Sequence, residues 1–501
     1  MTITKEQVVV IGAGVSGCTA ALEAARRGLT VTLIDEHPQN TAAMSLDAPY
    51  FYGARLAPVL SDEGTIADRV LGSNDLLMEC LEAGVEVLTN TCVWGLFVSG
   101  ANNEHLECNQ VGLADAEKSW MLGFDYLIVA AGARDLVLSF EGWHLPGVLA
   151  AKGATTLMGK YQALGGNQVL VLGSGNVALQ LASQAIELGI KVVGIVEAAD
   201  ELQGDSELAS SLKDLGVGVF TGYCIKNTTG VNEVSGAVLV PVTDQSLPAI
   251  DITCDTVCMA YGVVPNVELV ASAGAALDYD AAQGGWIPRL TSEFESTISN
   301  VFVAGDGSGI TEASLINPDV SIYQGQRIVA AIAARERHDV EDEIEAPQVQ
   351  SDSRSVYPPQ YWLDALIKAG GTGVMACQCE DVSRQDLIEV RAPKYLASTH
   401  SSPCDAAKTF VAEGQASQDM LKRMTRVGMG HCQGRRCREH SAMLLAGIAG
   451  VELSKVAPGS YRVPVRPLPL NIIRAHDEPK EMRDNWPTWL HPVEDTIGGV
   501  H

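Results

Sequence analysis

The stretch V-V-V-I-G-A-G-V-S-G-C-T-A-A-L-E-A-A-R-R-G-L-T-V-T-L-I-D-E, Val8 to Glu36, decides the fold. Its apolar, β-branched opening predicts a buried parallel strand. The strand breaks at Gly12, Gly14 and Gly17, and an Ala/Leu-rich helix runs to near Gly28. Thr30 to Ile34 predicts a second strand, with Asp35 and Glu36 at its tip. Gly12 permits the tight turn, Gly14 lets a pyrophosphate approach the backbone, and Gly17 lets the helix pack closely on the strand. Ala13 and Ser16 complete the candidate turn. The pyrophosphate then meets the free N–H groups and positive dipole end of the helix. An acid about 20 residues on suits a ribose hydroxyl pair. A lone G-x-G-x-x-G is a weak signal. Here strand, helix, second strand and acid stand in order, and together they predict a dinucleotide site.

The same logic returns from Asn167: Q-V-L-V-L-G-S-G-N-V-A-L-Q-L-A-S-Q-A-I-E-L-G-I-K-V-V-G-I-V-E. Gly173, Gly175 and Asn176 form the turn, Ala178 is small enough to replace the third glycine, and Glu197 is the terminal acid. A second nucleotide-binding fold inside the first is expected. Glu197 suits a 2′-hydroxyl, favouring NAD or an adenine nucleotide over NADP.

Between and after these units lie two strand ends. F-D-Y-L-I-V-A-A-G-A-R, Phe124 to Arg134, ends in small residues that allow backbone contact with a cofactor, with Ala131, Gly132 and Arg134 as candidates. The chain crosses back near Y-G-V-V-P-N, Tyr261 to Asn266. The strand Val301 to Ala304 then ends in Gly305 and Asp306, ahead of a small-residue helix at 317–336. An acid at such a strand end can accept from a ribityl hydroxyl, or simply cap the next turn. Residues 37–55, rich in turn formers and aromatics, are expected to form a loop over the first domain's ligand.

The 501 residues allow two to four domains with their own cores. A formal charge of −27 excludes nucleic acid and anionic membrane surfaces as partners. No run of apolar residues is long enough for a transmembrane helix, and no leader pattern precedes the first strand, so a cytoplasmic protein is expected. In that compartment the twelve cysteines are not a disulfide set. Cys18, Cys80, Cys92, Cys108, Cys224, Cys254 and Cys258 are scattered, and no positive field activates Cys254 and Cys258 as a redox pair.

Gly12–Gly17, Asp35–Glu36, Ala131–Arg134, Gly173–Ala178 and Val301–Asp306 together resemble the markers of the two-dinucleotide-fold flavoprotein disulfide reductase superfamily. The resemblance implies an α/β fold of two Rossmann-like domains, the second inserted in the first. It also implies FAD in the first, completed around Asp306, with NAD or ATP as alternatives in the second. E-G-W-H-L-P-G-V-L-A-A-K-G-A, Glu141 to Ala154, resembles a narrower group. These are the α subunits of bacterial amine, imino-acid and opine dehydrogenases and of hydrogen cyanide synthase, with sarcosine oxidase α as a related case. One departure is that Pro38 is followed by Q-N-T-A-A where related subunits often carry Gly-Gly-Gln, which leaves the reactivity of this flavin open.

After an acidic, proline-bearing linker come V-M-A-C-Q-C-E-D-V and M-T-R-V-G-M-G-H-C-Q-G-R-R-C-R. Cys377 and Cys379 are spaced C-x-C, and Cys432 and Cys437 C-x₄-C, with 52 residues between the pairs. Four thiolates in two pairs suit a zinc site or a [2Fe–2S] cluster. Gly428, Gly430 and Gly434 would turn N–H groups toward sulfur, while Arg435 and Arg436 would offset thiolate charge. His431 and Cys404 are read as bystanders. The stretch resembles the small helical domain of bacterioferritin-associated ferredoxin, and that resemblance implies a [2Fe–2S] cluster on the four cysteines.

The expected organisation is a discontinuous first domain (1–150 and 267–340) and an inserted domain (151–266). A linker (341–365), a cysteine domain (366–450) and an extended interface tail (451–501) follow. The proline-spaced G-S-Y-R-V-P-V-R-P-L-P-L, Gly459 to Leu470, suits either a subunit interface or a wrap over its own domain. No general base, nucleophile set or redox dithiol stands out. The expected function is an electron-transferring α subunit, with substrate oxidised on a partner. The resemblance implies that this partner is a β subunit carrying the substrate flavin, in assemblies that can include a small third subunit. The substrate would be an amino acid, imino acid or opine. The alternatives are a stand-alone NADH oxidoreductase, a nucleotide-binding scaffold and a hydrogen cyanide synthase subunit.

Overall fold

The structure is a computed structural model that describes residues 4–38, 63–100, 106–244, 246–336, 344–347, 358–393, 406–413, 417–474 and 484. Most of the loop expected at 37–55, the residues replacing Gly-Gly-Gln, most of the linker, Cys404 and the end of the tail lie outside the described residues.

The opening stretch folds as its pattern dictates. Strand β1 (Lys5–Ile11) lies between β2 (Val31–Ile34) and the long β6 (Ser119–Val129), parallel to both, with Val8 opposite Val31 and Tyr126. Val8, Val9 and Val10 are fully buried, because helices or strands cover both faces of a parallel sheet. Strands β3 (Glu86–Leu88), β4 (Cys92–Phe97) and β5 (Gln110–Ala114) complete the order β3-β2-β1-β6-β5-β4. The first half of β6 pairs antiparallel with β5. Its second half accepts the returning strand Val301–Val303 in parallel on the side away from β1, which places Asp306 beside the first glycine turn.

The inserted domain carries a second, all-parallel sheet and a three-stranded antiparallel one formed by Tyr223–Thr229, Gly236–Pro241 and Ile250–Ile252. The parallel strands are β7 (Val148–Ala150), β8 (Gln168–Leu172), β9 (Lys191–Glu197), β10 (Gly218–Thr221) and β11 (Thr256–Met259), in the order β10-β9-β8-β11-β7. The two crossings between domains, Ala133–Asp135 and Val263–Pro265, pair antiparallel with each other. Helices α1 (Val15–Arg26), α2 (Ala151–Gly159) and α3 (Asn176–Glu187) follow β1, β7 and β8. The returning helix α4 (Pro318–Arg335), with Pro at its start and Asn317 capping it, packs on α1. A Cβ on Gly325 would come within 2.7 Å of the Ser16 carbonyl, so glycine sets how closely the two helices approach.

The end of the stretch expected as linker is helical. Helix α5 (Pro359–Gly370) starts inside the stretch expected as linker, because Trp362, Leu363 and Leu366 bury against the inserted domain's core. Each such side chain contributes about 1.5–3 kcal/mol by leaving water. Helices α6 (Gln418–Thr425) and α7 (Arg438–Ala449) pack around Leu387, Leu421, Leu445 and Val456.

Arg384, which opens the short helix Arg384–Ile388, has no exposed surface. Its guanidinium donates to the carbonyls of Ser139, Leu366 (3.4 Å) and Gly371 (2.9 Å) and to His440 Nε2 (3.3 Å). Among the described residues no carboxylate pairs with it. Burial holds His440 down to about 3 and therefore neutral.

Candidate functional site

The three glycines of the first turn play different parts. Gly12 has φ +101°, and a Cβ there would stand 2.2 Å from the Ala130 carbonyl oxygen. A Cβ on Gly17 would stand 1.9 Å from the Gly12 oxygen, so helix and strand touch backbone to backbone. Gly14 has open space where its Cβ would be, and no side chain caps the helix it begins. A diphosphate fits that space, with the unpaired N–H groups of the first turn facing it.

Around this turn, Asp35 accepts the N–H of Ala13 (2.6 Å) and of His37 (2.8 Å), which fixes its carboxylate against the glycines. Glu36 instead forms an ion pair with Arg466, from the C-terminal tail. Ser16 is buried beneath Gly305, whose Cβ would approach its Oγ to 2.6 Å. Asp306 lies 3.1 Å from Lys152 Nζ. The Lys152 N–H in turn donates to Asp135 at 2.9 and 3.0 Å. Asn266 donates to the Ala131 carbonyl (2.9 Å), and its N–H to that of Gly132 (3.0 Å). Asn266 Oδ1 is buried without a hydrogen-bond partner among the described residues.

These residues line one cavity of about 510 Å³, which includes Gly12, Gly14, Asp35, Glu36, Ala131, Gly132, Asn266 and Asp306. Its wall carries six cations, Arg134, Lys152, Lys160, Arg435, Arg436 and Arg466, against four acids, Asp35, Glu36, Asp135 and Asp306. In a chain of net charge −27 that local excess of positive charge suits a phosphate-bearing ligand. Arg134 lines the cavity but its guanidinium is engaged elsewhere. It pairs with Glu439 and Glu268 (3.4 Å) and donates to the carbonyls of Pro265 and Arg435, joining the strand end to the cysteine domain.

The second turn has the same backbone and a different environment. Gly173 has φ +107° and a Cβ there would meet the Ala260 oxygen at 2.2 Å, while Ala178 is fully buried. Its polar groups are bonded to their own chain. Ser174 Oγ donates to Glu197 (2.7 Å) and accepts the Gln203 N–H (2.9 Å). The Ser174 carbonyl accepts the Gly204 N–H (2.8 Å). Asn176 donates to Glu312 (2.5 Å) and accepts the Asp205 N–H (2.8 Å). Glu197 is buried, and desolvation raises its pKa against the hydrogen bonds it accepts from Ala199 and Ser174. Gly175 borders open space, but neither glycine of this turn lines the large cavity.

The four C-terminal cysteines come together in two pairs, Cys377 with Cys437 and Cys379 with Cys432, with Cys377 close enough to Cys432 to feel its charge. Cys377, Cys432 and Cys437 are buried and Cys379 is half-buried. The N–H groups of Gly428 and Glu380 donate to the Cys377 sulfur, and those of Arg436 and Gly434 to Cys432. The Cys379 thiol and these N–H groups pull Cys432 down to about 6. Gly428 and Gly434 take positive φ, and a Cβ on Gly430 would overlap the Cys379 Cβ at 2.2 Å. His431 Nε2 lies 3.7 Å from the Cys379 sulfur. Among the described residues no group of three or more His, Cys, Asp or Glu side chains is arranged to hold a single metal ion. Elsewhere, burial pushes the Cys254 thiol up to about 12 and raises Cys258 further, so neither is a ready thiolate.

Lys152, Asn266 and Arg466 were not singled out from sequence as site residues. Lys152 stands within the Glu141–Ala154 stretch, but nothing in its spacing announces Asp306 as its partner, and Arg466 meets Glu36 across 430 residues.

Comparison with known proteins accords with this construction. A family model described as pyridine nucleotide-disulphide oxidoreductase matches residues 6–334, and one described as the sarcosine oxidase A3 domain matches residues 404–477. The chain is 26% identical to an opine oxidase subunit of Agrobacterium tumefaciens, over 92% of this chain and 90% of that one. It is 24% identical to hydrogen cyanide synthase subunit HcnB of Pseudomonas aeruginosa, over 93% and 98%. With the sarcosine oxidase α subunit of a Corynebacterium it shares 22% identity, over 97% of this chain but only 47% of the longer relative. L-Proline dehydrogenase from P. horikoshii shares the fold, with a TM-score of 0.62 at 19% identity over 94% of this chain and 80% of that one. No described helix is long and apolar enough to cross a membrane. The chain belongs to the pyridine nucleotide-disulphide oxidoreductase family of flavin-dependent oxidoreductases.

Proposed function

We propose that this chain is the electron-transferring subunit of a heteromeric flavin-dependent dehydrogenase, with FAD in the first turn and a [2Fe–2S] cluster on Cys377, Cys379, Cys432 and Cys437. One observation carries the reading. The cavity that Gly14 and Asp306 line is also lined by Gln378, Arg435 and Arg436, the neighbours of the paired cysteines. A bound flavin supplies two-electron chemistry and a bound [2Fe–2S] cluster one-electron chemistry, so together they suit a relay. Two sulfur pairs, each able to take one iron, favour the two-iron cluster over zinc, which needs all four sulfurs around one point. The N–H donors on Cys377 and Cys432 offset thiolate charge.

The relatives named as subunits of opine oxidase, sarcosine oxidase and hydrogen cyanide synthase support a partner β subunit that oxidises a C–N bond of an amino acid, imino acid or opine. The internally bonded second turn supports a structural role there over exchange of NAD or ATP. An anaerobic preparation should be yellow-brown, release FAD on acid treatment and contain labile sulfide. It should turn over substrate only with its partner subunit. A colourless protein without sulfide, or full turnover by this chain alone, overturns the proposal. Hydrogen cyanide synthase is the second reading, favoured by the HcnB match across nearly the whole chain. Cyanide formed from glycine by the intact complex would select it.

A further inference from the structure

The tail does not leave the molecule after the cysteine domain. Ser460 takes its place on α6, its N–H donating to Asp419 Oδ1 at 2.9 Å and its carbonyl accepting from Lys422 at 3.4 Å. The Arg438 guanidinium lies 4.2 Å from the centre of the Tyr461 ring. Four residues on, the Val465 N–H donates to the Trp94 carbonyl on β4 at 2.7 Å, and the Val465 side chain is buried in the first domain's core. Arg466 then meets Glu36 at the end of β2, where both border the nucleotide cavity. The segment is a strap running from the cysteine domain to the acid that follows the second strand.

That acid's position is where a dinucleotide's adenosine ribose is read. Asp35 and Glu36 both stand there, and they differ in what holds them. Both Asp35 oxygens accept backbone N–H groups, one from Ala13 in the glycine turn and one from His37, which ties Asp35 to the backbone on both sides. Glu36 is a third exposed, reaches the cavity and is held by one cation, whose own side chain is 9% exposed. We infer that Arg466 is a nucleotide-binding residue of the first turn. Brought in on the strap, it holds the Glu36 carboxylate in place for the ribose hydroxyls. This rests on the proposed nucleotide occupancy of that turn and adds that part of the affinity comes from the far end of the chain. The guanidinium is suited to the task because its fork holds a carboxylate in a fixed plane, which a lysine ammonium does not.

The test uses the full-length chain stripped of nucleotide, with FAD and ADP titrated separately and each followed by the ligand-dependent rise in Tm. Arg466→Ala should weaken both ligands by about tenfold to a hundredfold, the range of a charge-assisted contact. Arg466→Lys should fall between Arg466→Ala and the parent. Glu36→Gln should lose about as much as Arg466→Ala, and the double variant little more, because the two act as one unit. The readout is the ligand-dependent increment, so a variant of lower basal Tm still reports, and the Lys variant keeps the charge should the Ala variant fail to fold. Unchanged affinity in Arg466→Ala overturns the inference. So does a loss confined to FAD, which would place Arg466 at the flavin end. A parent chain that binds neither FAD nor ADP overturns the nucleotide reading itself, and the inference with it.

Discussion

The chain builds the same glycine turn twice and surrounds the two copies differently. At the first, Gly14 faces open space beside a cavity lined by six cations and four acids. At the second, Ser174, Asn176 and Glu197 are bonded to residues 203–205, Ala199 and Glu312. The backbone is alike because both turns solve one problem, a strand feeding a helix with no Cβ in the way. The surroundings differ because that problem is about folding, and occupancy is not. A glycine fingerprint therefore reports how the chain turns. The polar groups around it decide whether a ligand is needed to satisfy them.

The comparison is sharpened most by substituting where the turns are alike. Gly12→Ala and Gly173→Ala should each cost about 3 kcal/mol or more. Both add a Cβ at positive φ, 2.2 Å from a backbone oxygen, and chemical denaturation should show the two losses as similar. Where the turns differ, the effects should part. Gly14→Val should leave the folding free energy within about 1 kcal/mol yet weaken FAD more than tenfold, since its side chain would occupy phosphate space. The matching Gly175→Val should leave FAD affinity unchanged. Equal losses of FAD in both variants would break the contrast.

A smaller effect lies in pH. Burial raises the folded-state pKa of Glu197 above its unfolded value. Its contribution to stability is therefore fully present below the ordinary carboxylate pKa and is lost as pH rises through the raised folded value. Glu197→Gln should flatten that part of the Tm-against-pH curve, just above the ordinary carboxylate range, and leave nucleotide affinity untouched. The smallest change is expected for Lys152→Ala. The pair with Asp306 is partly exposed and worth under about 1 kcal/mol in stability. Titration should nonetheless show severalfold weaker FAD and unaltered ADP, because Lys152 pairs with Asp306, the acid expected to face a ribityl chain.

Much of this architecture was legible in the sequence, and for local reasons. Val8 to Glu36 specifies strand, turn, helix and strand within one run, and 168–197 does so again. The cysteine spacings singled out four sulfurs as two neighbouring pairs, but the fold joins them across, Cys377 with Cys437 and Cys379 with Cys432. The rest depends on contacts that no local pattern encodes. Arg134 stood next to a cofactor marker, yet its guanidinium closes on Glu439, 305 residues away, because the cysteine domain packs against that strand end. The tail's proline spacing pointed to a subunit interface, with a wrap over its own domain as the alternative. Val465 in the core and Arg466 on Glu36 make residues 460–466 a wrap. The start of α5 at Pro359 escaped notice because a polar, proline-bearing stretch precedes it, while Trp362 and Leu363 bury against a surface formed far earlier in the chain.

Arg384 has a consequence for motion. Its donors are divided between carbonyls of its own domain, at Leu366 and Gly371, and that of Ser139 across the seam, in the low-dielectric interior. A small slide of one body past the other would strip a permanently charged group of bonds it has no water to replace. The seam therefore behaves as a rivet rather than a hinge. The sulfur-bearing domain is thereby pinned to the stretch around Ser139, and its position along that seam is a constant dimension of the molecule.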